Sequence, residues 1–224
     1  MAVVITGNNT PTAGGVTYGD GTTYANTAAG SSGQILQSNG ASAPSWVAAP
    51  GGGSWIYLST VNASAAATAD IESTFDSTYD VYAIVAEDFF PATDGAQLYV
   101  RLKIGGSYVA NTYYGVYGNA YSNDATQPIN ANSNNGFIQI ATEMSNASNK
   151  KASFVLYTTN PTSTSIYKSV FMAGAGFRNT GSAAAWLMCS GYYGGATSAL
   201  TGIRFYANSG NISGTFRLYG IKNS

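Results

Sequence analysis

YDVYAIVAEDFFPATDGAQLYVRLKI, residues 79–104, is the stretch from which the fold is read. Its first half is apolar on both parities: Val81, Ala83 and Val85 alternate with Tyr82, Ile84 and Ala86. Side chains alternate faces along a strand, so this one is covered on both sides, by core twice or by core and a partner subunit. Its second half alternates cleanly, with Leu98, Val100, Leu102 and Ile104 against Gln97, Tyr99, Arg101 and Lys103. That is the period of a half-exposed strand. Pro91 and the pair Asp94, Gly95 supply turn chemistry between the halves, which predicts a β-hairpin with a loop longer than two residues.

The surrounding composition points the same way. Charged residues make up 8% of 224, net charge is −1, and there are 17 tyrosines, 27 glycines and no histidine. Tyr, Val, Ile and Thr favour pleated sheet, and Gly and Asn favour tight turns. No helix-period pattern is present. The weak charge gives no field for steering toward nucleic acid or an anionic membrane. No apolar run is long enough to span a bilayer, and MAVVITGNN has no basic n-region followed by a long apolar stretch. The expectation is a protein made in a cytoplasm, without membrane insertion. Cys189 has no second cysteine to pair with and reads as a small buried hydrophobe.

Residues 1–54 differ from the rest. Asp20 is their single charge, and the first basic residue of the chain is Arg101. Their larger apolar residues are few, among them Val3, Val4, Ile5, Tyr18, Tyr24, Ile35, Leu36 and Trp46. So few cannot offset the ordering entropy of a lone segment, so it is predicted to order against copies of itself or a larger assembly. Within it, GQILQSNGASAPSWV (33–47) holds a strand, a turn at Asn39 and Gly40, and an extended exit through Pro44 to Trp46. AAPGGGS (48–54) is a flexible linker by composition. The domain boundary falls there, with 1–54 an N-terminal attachment segment and 55–224 a C-terminal domain. After it, residues 63–69 are a short helical turn or a loop, and 130–136 a polar loop. Strand candidates recur at 55–62, 136–141, 152–158, 167–173, 184–191, 200–206 and 214–221. Nine or ten such strands predict a jelly-roll-like antiparallel β-sandwich.

Three pieces carry a resemblance: 33–47, FDSTYDVYAIVAEDFFPATDGAQLYVRLKIGGSY (75–108) and GTFRLYGIKNS (214–224). Together the chain resembles bacteriophage tail-fibre and related virion-fibre proteins, cyanophage ones included. The resemblance implies a homotrimer on the exterior of a virion, tail or capsid, assembled in the host cytoplasm. It implies an N-terminal end that docks on other virion proteins through residues 1–54, and a β-rich head that faces the host. The alternative is a head-attached fibre, decoration or collar protein with a purely structural role.

Nothing in the sequence assembles a catalytic group. Without histidine there is no Ser-His-Asp or Cys-His constellation, and no nucleotide-binding fingerprint is present. Glu87 and Asp88 are neighbours in a strand, predicted to face opposite ways, so they do not form a glycosidase pair. Asp88 and Asp94 with loop carbonyls could hold a calcium ion; the plainer reading is solvated, turn-capping carboxylates. The expectation is no enzyme and no cofactor; a glycan-degrading spike fits poorly in so short a chain.

Binding has better candidates. Tyr113, Tyr114, Tyr117 and Tyr121, with Asn111 and Asn119 beside them, form the richest aromatic and polar stretch, and Tyr192 with Tyr193 a second. Tyrosine offers flat apolar area and a hydroxyl, and asparagine paired donors and acceptors, which suits the sugar rings of a surface glycan. The competing reading puts the same tyrosines in the sandwich core or a trimer contact. The basic pair Lys150, Lys151 reads as a solvated loop tip.

Overall fold

The computed structural model describes residues 12–49, 54–72, 75–123, 129–180 and 183–222. Val3, Val4 and Ile5, and residues 50–53 of the predicted linker, lie outside them. The chain divides into two compact units, Met1–Gly53 and Ser54–Ser224.

The first unit contains two hairpins. β1 (Thr17–Gly19) pairs with β2 (Tyr24–Asn26), and β3 (Gln34–Asn39) with β4 (Ser42–Ala48), both antiparallel. Asp20 closes the first, its Oδ1 accepting from the N–H groups of Thr22 (2.8 Å) and Thr23 (2.7 Å). Those bonds hold the carboxyl below its ordinary range. Gly40, at φ +68°, turns the second, as Asn39 and Gly40 predict. Trp46 joins the hairpins: its ring lies where a Cβ on Gly30 would stand, and its Nε1 donates to Ala28 O (2.8 Å). Among the described residues of this unit only Thr27 is buried. Val16, Tyr24, Ile35 and Leu36 are all exposed.

The second unit is all strand and turn among its described residues. In order come β5 (Trp55–Ala66), β6 (Ala69–Glu72), β7 (Val81–Pro91), β8 (Ala96–Ile104), β9 (Ser107–Tyr108), β10 (Tyr113–Tyr121) and β11 (Ile129–Asn135). Then follow β12 (Ile138–Met144), β13 (Ala152–Thr159), β14 (Lys168–Phe177), β15 (Ala184–Tyr193), β16 (Leu200–Ala207) and β17 (Ile212–Ile221). One sheet has the order β11-β10-β15-β14-β13-β7-β17-β5, the other β12-β8-β16-β6, with β9 beside β8. Every pairing is antiparallel. The sheets pack face to face over one core. Phe205 of the small sheet stacks on Phe216 of the large one (4.9 Å) and meets Phe154 (5.8 Å). The four-strand set β5-β17-β7-β13 of the large sheet faces the set β6-β16-β8-β12, an antiparallel β-sandwich. The hairpins β10–β11 and β14–β15 widen the large sheet.

The predicted hairpin of 79–104 does not form. β7 lies in the large sheet between β13 and β17, and β8 in the small sheet between β12 and β16. The main partners of each strand are distant in sequence, β8 adding only the two-residue β9 nearby, so residues 92–95 are a crossing between sheets, not a hairpin loop. The crossing is held from outside itself: Ala92 N donates to Asn211 O (2.8 Å) and Gly95 N to Met144 O (2.9 Å). The two apolar faces of β7 both find cover within the chain. Tyr82, Ile84 and Phe89 enter the core, and outward-facing Ala83, fully buried, lies in register between Tyr157 and Tyr219. Both of those rings pack on Trp55.

Two local expectations are also overturned. The short turn or loop at 63–69 is mostly strand, as β5 runs to Ala66 and β6 begins at Ala69. The polar loop at 130–136 is mostly strand β11, an edge strand whose ladder to β10 needs only backbone groups. Gly191 shows how tightly the layers meet, because a Cβ there would stand 2.8 Å from Ile138 of the facing sheet.

Candidate functional site

Strand parity sorts the six tyrosines predicted to bind. Tyr113, Tyr117 and Tyr121 share the inner face of β10, and Tyr193 the inner face of β15. Tyr113 is fully buried, and its hydroxyl accepts from Leu102 N (2.8 Å) and donates to Val109 O (3.1 Å). Tyr121 and Tyr193 are buried, and Tyr117 is half-buried against the core. Tyr113, Tyr121 and Tyr193 leave almost no ring surface free to stack on a sugar, and Tyr117 packs half-buried against the same core. Burial raises the hydroxyl pKa of Tyr113, Tyr117 and Tyr121.

The other two face outward together. Tyr114 and Tyr192 are opposite in register, and their rings stack at 5.2 Å and 19°. Tyr167, which the sequence did not single out, extends the stack from the loop before β14 (6.0 Å, 36°). It is half in solvent at 52% exposure, and Tyr192 is exposed too. Beside them Lys168 is buried completely, with no acidic partner among the described ion pairs. Its Nζ donates to the carbonyls of Ser163 (2.5 Å), Ile166 (2.7 Å) and Thr197 (3.1 Å). Desolvation lowers its pKa. This ammonium ties the loop before β14, which bears Tyr167, to the loop after β15.

The platform ends a larger field. β13, β14, β15 and β10 contain one charged residue between them, Lys168, and it points inward. Their outer face displays Phe171, Trp186, Met188, Val116 and Tyr192, all exposed. The outer face of the small sheet is the opposite. There Arg204 makes a two-pronged bond to Asp70 (2.8 and 2.5 Å) and lies 3.9 Å from the Tyr108 ring centre. Lys103 pairs with Glu72 (3.0 Å), whose carboxyl is held low by that lysine and by Tyr108.

A concavity lies where one end of the small sheet meets the β10–β11 hairpin. It has a volume of about 270 Å³ and is lined by Gln97, Asn119, Tyr121, Asn130, Thr142, Glu143 and Arg178. Arg178 Nε donates to Glu143 Oε2 (2.7 Å), and its guanidinium lies 4.4 Å from the centre of the Tyr121 ring. Asn119 is buried; with its amide oriented to satisfy its neighbours, its oxygen accepts from Thr142 N (3.0 Å) and its nitrogen donates to Gly118 O (3.2 Å). Glu143 sits at φ +50° within a bulge of β12, a left-handed conformation that costs a non-glycine residue about 1–3 kcal/mol. Of this set the sequence reading placed only Tyr121 and Asn119 among its binding candidates. The rest are scattered over residues 97–178 with no shared motif, so no linear signal marked them.

The acidic candidates have ordinary partners. A bulge at Asp88 (φ +53°) leaves both Glu87 and Asp88 exposed, so the two do not take the opposite faces expected of strand neighbours. Glu87 pairs with Arg217, Asp88 with Lys151 (3.5 Å), and Asp94 accepts from Asn146 N (3.1 Å). Among the described residues no three His, Cys, Asp or Glu side chains converge as a metal site. Cys189 is buried, and burial pushes its thiol up to about 12. Compared with known proteins, the chain matches no family model, no curated protein and no solved structure.

Proposed function

We propose that the chain is a non-enzymatic structural subunit of a bacteriophage virion, a homotrimeric tail fibre on the particle exterior. Its N-terminal unit attaches to other virion proteins, and its sandwich, a jelly-roll head, contacts a glycan of the host surface. The observation that carries this reading is the contrast between the units. One has a single buried residue among those described, and the other a continuous two-sheet core. A segment without a core becomes stable by sharing its faces with copies or with a larger body.

The uncharged outer face of β13, β14, β15 and β10 supports the trimer. Four strands of about eight residues, at the usual strand spacing and rise, cover roughly 500 Å². That is at the upper end of what a monomer exposes, and aromatic, methionine-bearing and charge-poor surfaces are typical of interface cores. Tyr114, Tyr192 and Tyr167 at its rim are the rings left for a sugar.

The test has three arms. Sedimentation of the full chain should give three times the chain mass, and adsorption of the purified protein to susceptible bacteria should block infection. A version lacking residues 1–53 should keep a folded sandwich and fail to enter particles. Normal incorporation of that version would overturn the attachment role. Fibres found on the head, with no adsorption, would replace the host-contact role by the decoration role.

A further inference from the structure

We infer that the concavity of Gln97, Asn130, Thr142, Glu143 and Arg178 is a binding subsite for a single neutral sugar ring. The inference rests on the host-glycan reading for its biological setting, but its geometry stands apart from the tyrosine platform. The platform lies on the outer face of the large sheet, on β10 and β15. The concavity lies at an end of the sandwich, where β8 and β12 meet β10 and β11.

Its chemistry selects the ligand. Besides Asn119 and Tyr121, which are bonded to Thr142, the lining offers two carboxamides, Gln97 and Asn130, a hydroxyl on Thr142, a carboxylate and a guanidinium. Sugar hydroxyls both donate and accept, and carboxamides present both functions side by side. Among the described lining residues the two charged side chains, Glu143 and Arg178, are paired to each other. An anionic sugar would bring its charge against the Glu143 carboxylate and a cationic one against the Arg178 guanidinium. An apolar ligand would strand the polar groups. The volume, about 270 Å³, lies just below the roughly 300–1,000 Å³ of sites for drug-sized ligands, which suits one ring and not a chain.

The site is also held in shape. Glu143 is kept in its left-handed conformation because Asn179 N donates to its carbonyl (2.8 Å) while Arg178 holds its carboxylate. Asn119 and Tyr121 fix Thr142 from the opposite side, the Tyr121 hydroxyl lying 3.1 Å from Thr142 Oγ1. Strain retained by surrounding contacts at a polar concavity is the pattern of a preorganised binding site. Asn130 is the exposed member, on edge strand β11, and can be changed without touching the core.

The experiment is ligand-observed NMR on the full chain with free glucose, galactose, mannose and rhamnose, and with sialic acid and glucosamine as charged probes. At least one neutral sugar should bind, with affinity near 1 mM, and neither charged probe should. Asn130→Ala should weaken that binding roughly tenfold by removing a hydrogen-bonding partner. Asn130→Trp should abolish it by filling the concavity, with thermal unfolding unchanged in both variants. No neutral sugar bound, a charged probe preferred, or binding indifferent to both variants would each overturn the inference. Adsorption to bacteria separates this from the broader reading. If the wild type adsorbs and both variants adsorb equally, the subsite falls and the fibre stands. If sugar binding depends on Asn130 but nothing adsorbs, the subsite stands and the host-contact role falls.

Discussion

In the sandwich, Phe89, Phe154, Phe205 and Phe216 interlock across two sheets with almost no exposed surface. In the N-terminal unit, Trp46 against Gly30 joins two hairpins whose larger apolar residues remain in solvent. Both units are built from antiparallel pairs with sound turns. What separates them is the second layer: a hairpin has one partner for its backbone and none for its faces, whereas the sandwich gives most strands two paired edges and a buried side. An isolated hairpin is marginal in water, and three or more strands with a covered face are not. The difference teaches that regular backbone pairing in this chain does not by itself report independent stability.

The comparison breaks most severely if the core is removed. Phe216→Ala should lower the unfolding free energy of the sandwich by about 3–5 kcal/mol, read by chemical denaturation. A loss below about 1 kcal/mol would mean that the two sheets are not the source of its stability. Lys168→Met comes next. It leaves three loop carbonyls without their donor and should cost about 2 kcal/mol, with faster proteolysis of the loops at 160–167 and 194–199. Stability unchanged in that variant would show the clip to be dispensable.

Alkaline pH sharpens the contrast through titration. Unfolded tyrosine ionises near 10, whereas burial pushes Tyr82 up to about 12 and raises Tyr108, Tyr113 and Tyr206 as well. Below pH 10 both states keep these protons, and the contribution to stability is complete. As pH rises above about 10 the unfolded chain loses protons that the folded chain retains, so stability falls. Lys168 acts in the opposite sense: its folded pKa is lowered, so its contribution rises with pH just below the ordinary lysine value. The several raised tyrosines outweigh it. The unfolding midpoint should therefore hold to about pH 10 and then drop, together with tyrosinate absorbance. A drop beginning near neutrality would contradict the burial of these rings.

The smallest effects on folding test the surfaces. Phe171→Glu places a charge on the uncharged outer face and should change sandwich stability by less than about 0.5 kcal/mol while reducing the sedimenting species to monomer. Trp46→Ala should leave the sandwich transition unmoved and accelerate hydrogen exchange in residues 27–48. If it shifted the sandwich transition, the two units would be energetically coupled.

How far the chain was legible can be argued from particular residues. Along β8 the alternation of Leu98, Val100, Leu102 and Ile104 marked the buried face correctly, because one face met a core and the other did not. Along β10 the same rule was ambiguous. Tyrosines occupy both parities at 113, 114, 117 and 121, and composition does not say which parity points inward. Only Leu102 N and Val109 O, which satisfy the Tyr113 hydroxyl, settled it. The hairpin expected at 79–104 failed because a strand's partner is chosen by all the edges on offer. Residues 152–159 and 212–221 outcompeted the near neighbour.

By itself the sequence determined what each segment could become: strand where Val, Ile, Tyr and Thr alternate, turn where Gly, Asn and Asp stand, and no core where large apolar residues are sparse. These are local properties, set by backbone sterics and by the amount of apolar area a segment carries. The tertiary structure decided which strands pair, which tyrosines are buried, and that Gln97, Asn130, Thr142, Glu143 and Arg178 converge. Those outcomes depend on contacts between residues far apart in the chain, and no local propensity encodes the edge or face that a distant strand will fill.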